Sequence, residues 1–217
     1  LANSKLDPKN SGTANMNFTF MRNTKITAYL LLAVAGTQLL YTLLKTGGIE
    51  VPRQLLWGLE CLLFTTLIAF AGAALVQAKS QQLGWSAIAF CGVLNVVQVS
   101  IGLTLFGPFG EASSQLEALA PLAGAVVALS FMIYYAAKLL LGLAALVFGM
   151  AKISEGAKAL GVLTAVVGVV AICSNAALIV FGRDAFMPSA VAGGSGVLAT
   201  LLLAFCLMSY KGDESQI

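Results

Sequence analysis

SFMIYYAAKLLLGLAALVFGM, residues 130–150, decides how the chain is read. It has the length and apolarity of a membrane-spanning helix, since about 20 residues cross roughly 30 Å of hydrocarbon. Yet Lys138 stands in its middle. A charge at that depth costs about 2.5–3.5 kcal/mol on insertion scales, so it calls for a partner or a way out.

The rest of the chain agrees with the span. Of 217 residues, 59% are hydrophobic and only 10% are charged, with a mean hydropathy of +0.92. Soluble domains carry roughly a quarter charged residues. Six apolar runs follow one another: 26–44, 55–77, 85–106, one within 119–150, 159–182 and 190–210. Lipid leaves backbone polar groups no outside partner and strand-like alternation is missing, so the runs are read as helices. The expected fold is an all-α integral membrane bundle of about six transmembrane helices over 26–210, with no soluble domain. Polar tails flank it at 1–25 and 211–217. The N-terminal tail is read as disordered, because it is polar and aperiodic. Met16 and Met21 are each placed to start a chain, so the first fifteen residues read as an added or linking segment. Asn17-Phe18-Thr19 forms a glycosylation sequon that matters only if this end faces a secretory lumen.

Between the runs lie the breakers Gly47-Gly48, Pro52, Gly107-Pro108, Gly156 and Pro188. Lysine and arginine placement predicts cytoplasmic termini. Arg22, Lys25, Lys79, Lys152, Lys158 and Lys211 share one side. Lys45, Arg53 and Arg183 lie on the other, diluted by Glu50, Glu111, Glu117 and Asp184. The fourth run is too long for the bilayer. A helix capped near Ser113 or Ser114 that starts outside and enters near Leu129 would put Lys138 about nine residues deep. A gapped likeness between 73–93 and 144–169, sharing AALV, Ala-Lys and Leu-Gly, suggests a duplicated two-helix unit.

Several chemistries are disfavoured. The chain has no histidine, which removes the commonest metal ligand and general base. Cys61, Cys91, Cys173 and Cys206 form no CxxC pair and read as small hydrophobes in the spans. No metal and no cofactor is expected. A net charge of +3 without a basic cluster gives no reason to expect nucleic acid as a partner. Ser130 and Lys138, two helical turns apart, are too distant for a catalytic dyad, and enzymatic activity is not expected.

The polar residues of the spans remain. Glu60 is the one acid and Lys138 the one base within the six runs, at similar depth from one face. The simplest solution is a mutual ion pair. The alternatives are two charges that snorkel separately to the interfaces, or a role toward a substrate or proton. Ser130, Tyr134 and Lys138 recur every four residues, with Gly142 continuing the face and Tyr135 beside it. Span 3 offers Cys91, Asn95, Gln98 and Gly102; span 5 offers Ser174 and Asn175; span 1 offers Thr37, Gln38 and Tyr41. Such amides and hydroxyls either glue helices together or line a pathway. The candidate site is therefore Glu60, Lys138, Tyr134, Tyr135, Asn95, Gln98 and Asn175. Gly161, Gly168 and the Gly193-Gly194-Ser195-Gly196 run predict close packing of spans 5 and 6. Two functions fit: a transporter- or channel-like protein with a polar centre, or an accessory subunit of a larger membrane complex. A sensory role lacks an attached domain. The expected partners are the lipid bilayer and other membrane subunits or further copies of the chain.

Overall fold

A computed structural model describes residues 18–182 and 189–210. Over these the chain is helical, with no strand: α1 Phe20–Thr46, α2 Arg53–Gln77, α3 Gln82–Gln115, α4 Ala120–Ser154, α5 Lys158–Phe181 and α6 Ser189–Met208. A single 3-10 turn, Glu117–Leu119, precedes α4. All six helices are long and apolar enough to cross a membrane. The first fifteen residues, Asn17 of the sequon, Arg183, Asp184, Pro188 and the tail from Lys211 lie outside the described residues.

The burial pattern is inverted relative to a protein in water. Leu43, Leu55, Leu62, Val76, Phe90 and Val166 are exposed, whereas Asn95, Lys138, Thr164, Asn175 and Thr200 are buried. Apolar side chains turned outward and polar ones inward are what a hydrocarbon solvent selects.

Helices α1, α2, α3, α4 and α6 form a ring in that order, closed by α6 against α1. Helix α5 lies outside it, packed on both α4 and α6. The α4–α5 contact is built by glycines. A Cβ placed on Gly168 would lie 2.7 Å from the Gly142 carbonyl oxygen, and one on Gly161 would lie 2.7 Å from that of Gly149. The pairs are one heptad apart on each antiparallel helix, so the two backbones meet twice on one face. The expectation that spans 5 and 6 meet through these glycines is thus corrected: Gly161 and Gly168 face α4. Of the GGSG run, Gly194 meets nothing within 4 Å, Gly193 lies toward the Tyr134 hydroxyl, and Gly196 faces the Lys138 stem.

Two boundaries differ from the sequence reading. Helix α1 begins at Phe20, inside the stretch read as a disordered tail. Thr19 caps it by accepting from the Arg22 amide at 3.3 Å, and Asn23 donates to Gln77 on α2 at 2.8 Å. The polar head of α1 is ordered by a cap and a partner, not by apolar periodicity. Helix α3 runs through Gly107-Pro108 to Gln115, taking in Ser113 and Ser114, which therefore do not cap α4. Proline removes one donor from the ladder without ending the helix.

Helices α3 and α4 have 34 and 35 residues, about 51 and 52 Å at 1.5 Å per residue. Tyr41, Trp57 and Phe106 stack with centroid separations of 5.7 and 5.8 Å, marking one level on α1, α2 and α3. Beyond it α3 and α4 continue together as an antiparallel hairpin. Leu129 is nine residues before Lys138, and Gln38, which Lys138 touches, is eight residues before the end of α1. The suggested duplication finds less support. α2 stops one residue after its AALV (73–76), whereas α4 continues seven residues past its own (144–147).

Candidate functional site

Lys138 has no exposed surface. Its ammonium crosses the ring from α4 and donates to Gln38 Oε1 on α1 at 2.6 Å, lying 5.3 Å from the centroid of the Tyr134 ring. Its stem is held by α6: a Cβ on Gly196 would come within 2.7 Å of Lys138 Cδ. Snorkelling is thereby excluded for this lysine. The glycine that the sequence offers for helix packing instead makes room for a side chain.

Glu60 points inward from α2 and is 6% exposed. It lies within electrostatic range of Lys138 and Tyr134, while the Thr37 hydroxyl on α1 donates to the Val34 carbonyl at 2.9 Å. No contact ion pair joins Glu60 to Lys138; among the described residues that contact occurs at Lys152–Glu155. The expected mutual pair is therefore corrected to an indirect one. Neither α1 nor α2 adjoins α4 in the ring; the long lysine side chain spans it, and its ammonium ends at Gln38 on α1.

Helix α3 contributes Cys91, which is fully buried and within electrostatic range of Lys138. Asn95 donates to the Cys91 carbonyl at 2.9 Å and approaches its Sγ at 3.1 Å. The Asn95 Oδ1 is buried and has no partner. Tyr135 stacks against Tyr134 at 5.9 Å. These residues, with Gln38 and Thr37, form the centre.

Two of the predicted residues act nearby but separately. Gln98 donates to the Ser130 hydroxyl at 3.2 Å, fastening α3 to α4. Asn175 donates to the carbonyls of Ala171, at 2.8 Å, and Ala192, at 3.3 Å, fastening α5 to α6. Both act as interhelical hydrogen bonds, the glue role that amides in spans commonly play. Gln38 is the residue that sequence reasoning undervalued. A lone glutamine in an apolar run carries no distinguishing signal until its partner on another helix is known.

The centre thus holds an ammonium bonded to a neutral amide, a carboxylate set off from it, and a carbonyl oxygen with spare acceptor capacity. Such a set places a proton donor and a potential acceptor in one buried centre. Comparison with protein-family models, curated proteins and solved structures returned no match, so this geometry carries the functional reading alone.

Proposed function

We propose that the chain is a transporter- or channel-like membrane protein whose working centre is Lys138, Gln38 and Glu60. One observation carries this reading: a completely buried ammonium whose direct partner is a neutral amide, with the only span carboxylate nearby but out of contact. An ionisable group inside a membrane is costly to keep and is by default a sign of function. A purely structural clasp is built more cheaply from a contact pair or from apolar packing. The occluded Lys138 corresponds to a closed state, and the moving cargo is a proton or a small polar solute. The chain is read as non-enzymatic, with both termini cytoplasmic from the distribution of its lysines and arginines.

The test is reconstitution into liposomes holding a pH-sensitive dye, with an imposed proton gradient. Proton flux above empty liposomes is expected, lost in Lys138→Met and in Glu60→Gln at unchanged thermal midpoints. Flux equal in all three proteins, or no flux in any, overturns the reading for protons.

A second reading, an accessory subunit of a membrane complex, is favoured by the zero exposure of Lys138 and the closed contact of its stem with Gly196. It expects the chain to leave mildly solubilised native membranes only together with other subunits, whereas the transport reading expects a stable particle of this chain alone. A reporter fused after Ile217 that is active only outside the cell would reject the orientation.

A further inference from the structure

The turn between α1 and α2 encloses a cleft of about 590 Å³, lined by Tyr41, Lys45, Gly48, Ile49, Glu50, Val51 and Arg53. Its shape follows from the local sequence. Gly47 and Ile49 donate to the Leu43 and Leu44 carbonyls at 2.9 and 3.0 Å, ending α1, and Gly48 takes a φ of +68°. That left-handed residue favours glycine, and it sends 49–51 across the mouth before Pro52 opens α2.

Three charged groups line this cleft, and none is paired with another. Lys45 lies 6.0 Å from the centroid of the Tyr41 ring, and the Arg53 guanidinium 6.0 Å from that of Trp57. Among the described residues neither cation forms an ion pair with Glu50. Each cation lies over an aromatic ring, and Glu50 lines the same cleft. The depth is informative as well. Tyr41 and Trp57 are in ring contact near the adjoining ends of α1 and α2, and aromatic residues are typical of the headgroup layer. Leu43 and Leu55, two residues further into the helices than Lys45 and Arg53, are 60% and 70% exposed. The cleft therefore opens where a phosphate with an acyl chain beneath it would sit.

We infer that this cleft binds a phosphate ester carrying a primary ammonium, with Arg53 and Lys45 on the phosphate and Glu50 on the ammonium. Arginine supplies a planar fork that matches phosphate oxygens and lysine a point charge. A primary ammonium donates hydrogen bonds to a carboxylate that a quaternary one cannot, so Glu50 sets the choice between ethanolamine and choline headgroups. The same chemistry is offered by a lipid headgroup and by free phosphoethanolamine.

The experiment measures lipid retained by the purified full chain, by native mass spectrometry, after exchange into equal mixtures of phosphatidylethanolamine and phosphatidylcholine. Preferential retention of the ethanolamine lipid is expected. Lys45→Ala/Arg53→Ala should lower total retention roughly fivefold, the scale of two weak interfacial charge contacts together. Glu50→Gln should keep the phosphate-bearing lipid but abolish the preference. A parallel thermal shift with free phosphoethanolamine identifies the source. Stabilisation by the free compound assigns a soluble ligand, and stabilisation by the lipid alone assigns the headgroup. Equal retention of both lipids by the unaltered protein with no shift from the free compound overturns the inference. So does unchanged retention in the double variant. Neither outcome bears on Lys138, so proton flux and lipid retention fail independently.

Discussion

Helix α4 buries two lysines fourteen residues apart, and their surroundings are opposites. Lys152, 2% exposed, donates to Glu155 Oε2 at 2.5 Å and to the Ser209 carbonyl at the end of α6, also at 2.5 Å. The Tyr210 ring lies 5.8 Å from its ammonium. Its charge is met by a carboxylate and by the carbonyl end of a helix, where a cation is favoured. Lys138 has a neutral amide in place of the carboxylate and no helix end. The same residue type on the same helix is fully compensated at one level and undercompensated at the other. The first arrangement is a fastening of α4 to α6. The second leaves an ammonium with no carboxylate in contact.

That contrast can be broken most sharply through Gly196. Leucine there must displace the Lys138 stem, and a loss of about 3 kcal/mol is expected. Adding Lys138→Ala should return most of it, and Gly194→Leu, which meets open space, should do little. Thermal midpoints in detergent report all three. A double variant as unstable as Gly196→Leu alone would mean that the glycine serves a backbone contact instead.

Next in size is the fastening itself. Lys152→Met removes two hydrogen bonds from a charged donor and should cost about 2 kcal/mol, discounted because the Glu155 side chain is 25% exposed. Gln38→Glu should move the central lysine toward the character of Lys152, raising stability by about 1 kcal/mol through a charged acceptor while abolishing proton flux. If it gained stability and still conducted, the missing carboxylate would have no bearing on exchange.

The smallest effect on stability is expected at the centre. Lys138→Met should change stability by no more than about 1 kcal/mol, because an undercompensated charge contributes little net stabilisation. Its coupling with Glu60→Gln in a double-mutant cycle should be similarly small. A coupling of about 3–5 kcal/mol, typical of breaking a buried contact pair, would mean that the two charges meet directly.

The sequence made the spans legible because hydrocarbon imposes a length and an apolarity that few other environments do. It located Lys138 and Glu60 as outliers in those runs. What it left obscure depends on which helices are neighbours. Glu60 and Lys138 share a depth, but α3 separates the helices that carry them, and the lysine's contact is with Gln38 across the ring. The pairing of Gly142 with Gly168 is invisible until α5 is known to lie outside the ring. Lys152 looked like a loop charge because its partners, Glu155 and Ser209, come from a turn and from a distant helix end. Polar residues at the head of α1 resembled a tail because their order derives from Gln77, more than fifty residues away.

Closure of the ring by α6 against α1 has a consequence for biosynthesis. Gln38 enters the membrane first, Lys138 follows a hundred residues later, and Gly196 arrives another fifty-eight after that. At about 5–20 residues per second of synthesis, the interval between lysine and glycine is roughly 3–12 seconds. Throughout it the wall that seals the polar centre does not yet exist. A nascent chain stalled before Ser189 should leave Cys91, which the finished bundle buries completely, open to a membrane-permeant thiol reagent.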